Sequence, residues 1–257
     1  MRFWMVLALL AMGPAHAAAA DLTARQVTES VFRASSPVDF TGKNLSFLDL
    51  EGLDFKEARF AGANLYGTDL SKTKLAGSDL SGARLDRVSL ANADLSGANL
   101  SRATLLSISA YTTLDPNPAD APVFAGADLS DAYIASRLDG ADFRNANLSR
   151  ARIGKLVATW GSYQPRALLM GANFNGATLI DADLSNGVFR FAKLRDANLR
   201  GAKLMDCDFS QADLTGADLT GADVTGADFD GAVIAAVKGL DQALGLDRAK
   251  NLEKAVR

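Results

Sequence analysis

The chain has 257 residues, 48% of them hydrophobic, and sets 27 Lys and Arg against 30 Asp and Glu for a formal charge of −3. That balance argues against a nonspecific nucleic-acid binder, which presents a basic stripe. One cysteine, Cys207, excludes an intrachain disulfide, and the single histidine, His16, falls in a segment predicted to be removed, which excludes histidine acid–base catalysis and histidine metal sites from the mature chain.

The N-terminus carries Arg2, an apolar run from Phe3 to Met12, a Gly13-Pro14 break and the small-x-small triplet Ala15-His16-Ala17. This pattern predicts a signal peptide over residues 1–17, with cleavage after Ala20 as the alternative, and hence a periplasmic or secreted protein. No later segment holds the roughly 18 uncharged apolar residues of a membrane span, so no transmembrane anchor is expected. Residues 21–37 read as an N-terminal capping segment. Thr23 and Gln26 have capping-box spacing, and Val27, Val31 and Phe32 are spaced to share a helix face.

From 38 to 234 a large apolar residue returns every fifth position, as in Phe40, Leu45, Leu50, Phe55, Phe60 and Leu65, with a small residue two places before most of them. The unit is A-[D/N]-L-x-x. A period of five is neither helix nor strand. If the large centre and the small residue both point inward, alanine leaves room for the Leu or Phe beside it, where a second large side chain would overfill a narrow interior. Cys207 occupies one of these small positions, as buried filler or as a reactive thiol.

Two insertions interrupt the period, at 106–123 and 154–168. The first holds Tyr111 and the proline-rich run from Asp115 to Pro122, which disfavours a ladder and predicts an external loop. The second holds Leu156, Trp160, Tyr163 and Pro165, either packed as a local core or available for recognition. Between Ile134 and Leu138 the step is one residue short. A shortened turn there would still let Phe124 stack on Phe143.

Asp208, Asp213, Asp218, Asp223 and Asp228 then stand before successive centres, in a stretch without Lys or Arg from 204 to 237, just after a basic band of Arg190, Lys193, Arg195, Arg200 and Lys203. A solvated polar wall is the plain reading. Residues 235–257 leave the period, and Leu246, Ala249, Leu252 and Val256 predict an amphipathic C-terminal capping helix.

The A-[D/N]-L-x-x unit, as in Ala63-Asn64-Leu65 and Ala217-Asp218-Leu219, resembles the pentapeptide-repeat family. The resemblance implies an all-β solenoid: a right-handed quadrilateral β-helix with four units and twenty residues per turn, closed by short terminal helices. About 35 units would give about nine turns and a rod roughly 40 Å long. Phe189, Phe209 and Phe229 are spaced by twenty, and charges alternate at twenty in Asp39, Arg59 and Asp79 and in Asp183, Lys203 and Asp223. Some members of that family look like double-stranded nucleic acid and act on type II topoisomerases, and the five aspartates match the acidic position on which such mimicry depends.

No catalytic, cofactor or metal motif is present, so no enzyme and no cofactor are expected. The reading is an exported, non-enzymatic structural or protein-interaction scaffold, with an envelope glycan or small-ligand surface binder and an acidic DNA-mimic topoisomerase partner as alternatives. The expected partner is a protein or envelope component, with a homodimer through a terminal cap as one form. Candidate interaction residues are Tyr111, Trp160, Tyr163, Asp208, Asp213, Asp218, Asp223 and Asp228.

Overall fold

A computed structural model describes residues 19–35, 37–55, 57–113, 117–154 and 167–257. The predicted leader and the candidate residues Trp160 and Tyr163 lie outside the described residues.

Helix α1 (Ala24–Arg33) begins at a capping box, in which Thr23 accepts from the Gln26 N–H while the Gln26 side chain accepts from the Thr23 N–H at 2.8 Å. Val27 and Val31, one helical turn apart, are buried in the core. Phe32 does not share their face: it lies about 100° further round the helix and is 84% exposed. Just before the helix, the Asp21 N–H donates to Asn44 O at 2.7 Å, and the Asn44 N–H donates to the Asp21 carboxylate at 2.8 Å.

The repeat is built from one hydrogen-bonding cycle. In Ala212–Gly216, the Ala212 N–H closes a tight turn onto Phe209 O (2.9 Å), and the Asp213 N–H reaches back to Ala192 O (2.9 Å). The Leu214 and Gly216 N–H groups reach forward to Val233 O (2.8 Å) and Ala235 O (2.9 Å). Only the Thr215 N–H finds no carbonyl, and Asp213 Oδ1 accepts it at 3.0 Å. The same side-chain bond joins Asp39 to Thr41, Asn64 to Tyr66, Asp128 to Ser130 and Asp228 to Asp230. The [D/N] of the unit is therefore an acceptor for the one N–H that neighbouring chain cannot satisfy.

Single-residue parallel bridges set the register at twenty, as in Asp39↔Arg59, Asn64↔Arg84 and Lys193↔Asp213. Each twenty-residue length is called a layer below. The first insertion widens the offset to twenty-nine (Asp94↔Val123), the short step narrows it to nineteen (Val123↔Asp142), and the second insertion widens it to thirty-one (Asp142↔Asn173). Phe124 does stack on Phe143 across the shortened layer, with ring centroids 4.9 Å apart and planes 5° apart, and Phe143 stacks on Phe174 at 4.7 Å. Phe40 with Phe60, and Phe189 with Phe209 and Phe229, stack likewise. The centres and their alanines form one buried column, and Cys207 is buried there with its thiol donating to Leu184 O at 3.0 Å.

The expected all-β solenoid, a right-handed quadrilateral β-helix, is corrected by the secondary structure. Among the described residues, regular strand is confined to β1 (Thr104–Leu106), β2 (Tyr133–Ala135) and β3 (Arg152–Ile153), which form one open parallel sheet in the order β1-β2-β3. The remainder of the repeat is turn-rich coil joined by isolated bridges. The cause is the period itself. Each unit spends two residues on a turn whose second member is left-handed, such as Gly62 (φ 63°) or Lys72 (φ 58°), so one bridged residue per unit is too little chain for a strand.

The C-terminal capping helix is corrected as well. Three 3-10 turns, Leu240–Gln242, Leu246–Arg248 and Leu252–Lys254, recur every six residues, each entered through a left-handed residue, Gly239, Gly245 or Asn251. A left-handed residue every sixth position rules out a continuous α-helix. Lys238, Leu244, Lys250 and Val256 still bridge to Asp218, Asp223, Asp228 and Val233, so the segment lies along the preceding layer with one extra residue per step.

The side-chain acceptor gives a direct test. Asp223 makes no ion pair among the described residues but accepts the Thr225 N–H at 3.0 Å. Asp223→Ala should lower unfolding free energy in urea by about 1 kcal/mol and speed hydrogen exchange at the Thr225 amide, whereas Asp223→Asn should retain both. Equal loss in the two variants would show that the charge, not the acceptor, matters.

Candidate interaction surface

The five candidate aspartates belong to consecutive units, which spreads them along one layer instead of gathering them. Only Asp208 and Asp228 become neighbours, bridged in register. Each is tied down locally. Asp208, Asp213 and Asp218 accept from both the N–H and the hydroxyl of Ser210, Thr215 and Thr220, and Asp228 accepts from the Asp230 N–H and from Asn251 Nδ2 at 2.8 Å.

The outer oxygens of three of them face cations. Arg195 Nε lies 2.5 Å from Asp213, Arg200 lies 3.4 Å from Asp218, and Arg190 lies 3.9 Å from Asp208. From the other side, Lys250 reaches Asp206 at 3.8 Å and Lys254 reaches Asp230 at 3.4 Å. The basic band and the acidic section are thus two halves of one cross-layer network, although Asp213 pairs with Arg195 and not with its register partner Lys193. Such exposed pairs contribute about 0.2–1 kcal/mol each, and Asp223 and Asp228 stand without an ion pair among the described residues.

Tyr111 is an anchor of the first insertion. It is half-buried, and its hydroxyl donates to Asp139 O at 2.8 Å; burial pushes that hydroxyl well above its ordinary ionisation range. Asp139 is itself buried, with Oδ2 held by Arg137 at 2.7 Å and Oδ1 accepting the Met170 N–H at 2.8 Å. The loop is pinned again where Asp120 accepts from the Thr112 hydroxyl and the Asn92 N–H donates to Asp120 O.

The sequence reading passed over a second group. Phe47 (63% exposed) meets Tyr66 edge-on at 5.3 Å, and the Arg84 and Arg87 guanidinium carbons lie 4.4 and 5.8 Å from the Tyr66 ring centre. Phe191, half exposed, has Arg190 at 5.9 Å. The available signal was that Phe47, Tyr66 and Phe191 are aromatic residues in the outward positions of their units. One acidic triple, Asp49, Glu51 and Asp69, brings carboxylate oxygens within 4.8 Å of one another, but it lies open to solvent and Lys72 Nζ already holds Glu51 at 2.8 Å. Among the described residues no helix is long and apolar enough to cross a membrane.

The hydrogen-bonded carboxylates set an acid limit. Hydrogen bonds from the hydroxyls and N–H groups of Thr41, Thr220 and Thr225 hold Asp39, Asp218 and Asp223 below the ordinary value of 3.8. Burial pushes Asp213 up, but bonds from Thr215 and Arg195 outweigh it and hold this group low too. With folded values below unfolded ones, the stabilisation is complete above the ordinary carboxylate range and is lost as pH falls through the folded values. Urea stability should therefore stay level down to about pH 5 and fall below about pH 4. A triple Asn variant at 213, 218 and 223 should show a shallower fall, and an unchanged slope would remove these groups as its cause.

A family model described as pentapeptide repeats matches residues 39–77, 69–105, 123–155, 172–211 and 192–231, in eight copies. Among solved structures, the chain is similar to HetL, a pentapeptide repeat protein involved in heterocyst differentiation regulation from the cyanobacterium Nostoc sp. The identity is 24% over 91% of this chain and 94% of that one, with a TM-score of 0.45. It is also similar to QnrB1, a plasmid-mediated fluoroquinolone resistance protein, at 21% identity over 71% of this chain and 88% of that one, with a TM-score of 0.51. The likeness to QnrB1 is one of fold alone. No curated protein matches the chain.

Proposed function

Because the chain belongs to the pentapeptide-repeat family, we propose that it is an exported interaction scaffold whose outer wall binds a protein of the cell envelope or the medium. The protein is non-enzymatic and works through protein interaction, as its family membership carries. The observation that carries the finer reading is the pattern of backbone bonding. Between layers most N–H and C=O groups are consumed, and the outward N–H groups left over, such as those of Ala61 and Ala76, are isolated, so strand addition along the wall finds no continuous edge and recognition runs through side chains. The wall offers them where aromatic residues break the five-residue rule, at Phe47, Tyr66 and Phe191. Export rests on the leader-like N-terminus.

The DNA-mimic alternative is disfavoured by the cations that cover Asp208, Asp213 and Asp218. A second copy is a further partner reading, because the six-residue C-terminal layer leaves Leu244 and Val256 exposed and frames an open recess with Leu240, Leu246 and Leu252.

The test is cross-linking and mass spectrometry of the tagged protein in its native cells, together with cell fractionation. The expected result is a protein partner cross-linked outside the cytoplasm. A cytoplasmic mature chain, or inhibition of DNA supercoiling by the purified protein at micromolar concentration, would overturn the reading. For self-association, sedimentation should show a dimer that Leu252→Glu reduces to a monomer; a monomeric wild type would end that part of the proposal.

A further inference from the structure

We propose that Phe47, Tyr66 and Arg87 form a docking surface for an acidic, aromatic-bearing segment of a partner protein, a reading that rests on the interaction scaffold above and names its contact. Three independent observations converge on this corner. Phe47 adopts φ 60°, the left-handed conformation that the second turn residue of each unit takes, most often Gly or a polar residue, and among aromatic residues only Phe47 and Phe191 of the described residues meet its cost. Phe47 stays outside the buried column there, being 63% exposed. An exposed aromatic held in a strained conformation is an outlier that folding alone does not call for.

The neighbouring layer makes room for it. Gly67 lies beneath the ring, where a Cβ would come within 2.8 Å of Phe47 Cδ1 and Cε1. Phe47 and Tyr66 then meet edge to face, which leaves ring surface of Phe47 facing solvent.

Charge selects the partner. Arg84 lies over Tyr66 but is neutralised by Asp86, with Nε 2.8 Å from Oδ2. Arg87, whose guanidinium carbon lies 5.8 Å from the centre of the same ring, makes no ion pair among the described residues. An unneutralised guanidinium beside two aromatic rings fits a carboxylate that stands next to a large apolar group, and Tyr and Arg are the residues that dominate binding energy at protein interfaces. The bonding between layers denies the partner a backbone ladder: the Phe47 N–H donates to Tyr66 O, and the Gly67 N–H donates to Asp86 O.

The test uses the purified protein and short fluorescent peptides in which two phenylalanines are flanked by glutamates, with lysine-flanked counterparts and a trigalacturonate oligosaccharide as comparators. The glutamate peptide should bind, and Phe47→Gly and Arg87→Gln should each weaken it by about tenfold or more, with Phe191→Gly unchanged. Phe47→Gly relieves the left-handed strain and Arg87→Gln keeps the side-chain stem, so thermal melting of both variants should match or exceed the parent. Binding that survives both substitutions, or equal binding of the lysine peptide, would overturn the surface. Binding of trigalacturonate in place of the peptide would overturn the partner class. Because the readout needs only purified protein, its failure is distinct from a failure of the cellular cross-linking that tests the scaffold itself.

Discussion

Once in every five residues a backbone N–H points where no neighbouring chain offers a carbonyl, and the rest of the structure depends on how that donor is satisfied. The donor belongs to the residue just after each buried centre. Where Asp or Asn precedes the centre, its Oδ1 takes the proton, as Asp213 does for Thr215 and Asn99 for Ser101. Other units, such as those of Arg59 and Lys74, leave the donor to solvent, and three recover an acceptor from elsewhere. Thr104, Leu168 and Lys193 hold the same position without a carboxylate or amide oxygen to offer. Their units are served instead by Asp86, Asp139 and Asn175 of the layer before, which accept from the Leu106, Met170 and Arg195 N–H groups. The acceptor can come from either layer.

This accounts for what the sequence made legible and what it hid. The apolar column was legible, because a centre such as Leu65 and a small residue such as Ala63 differ in size in a way that only an inward position explains. The offset of one residue at Ile134–Leu138 was legible too, since Phe124 and Phe143 had to stay in stacking register. The confinement of regular strand to β1, β2 and β3 among the described residues was not. A repeat that reads as a ladder can be met by single bridges, and only dihedral angles show that Lys72 or Arg87 is left-handed and ends the extended run after one residue. At the C-terminus, Leu246, Ala249 and Leu252 satisfied a helical spacing, while the recurrence of Leu240, Leu246 and Leu252 at six was the period that governs the chain.

The same logic bears on the candidate residues that the structure describes. The aspartates from 208 to 228 drew attention as charges, yet they stand at the position where an oxygen is needed by the backbone, and that need exists whether or not a partner does. Their recurrence carries no information about binding. Tyr111 similarly spends its hydroxyl on Asp139 O. Residues that depart from the rule carry more: nothing in the bonding cycle asks for an aromatic ring at Phe47 or Phe191.

The charge network follows from the stacking and not the reverse. Arg190, Arg195 and Arg200 reach Asp208, Asp213 and Asp218 because each aspartate sits eighteen residues on, one layer away and two residues back, a distance the register creates. Exposed pairs of this kind add too little to impose an offset of twenty, whereas a buried Phe moved off the column, such as Phe209 between Phe189 and Phe229, would lose its stacking partners and leave a void. Core and backbone choose the register; the surface charges then settle which neighbouring carboxylate each arginine meets. That ordering is why Asp213 can take Arg195 while bridged to Lys193, and why arginines such as Arg87, Arg102 and Arg152 can be left without an ion pair among the described residues.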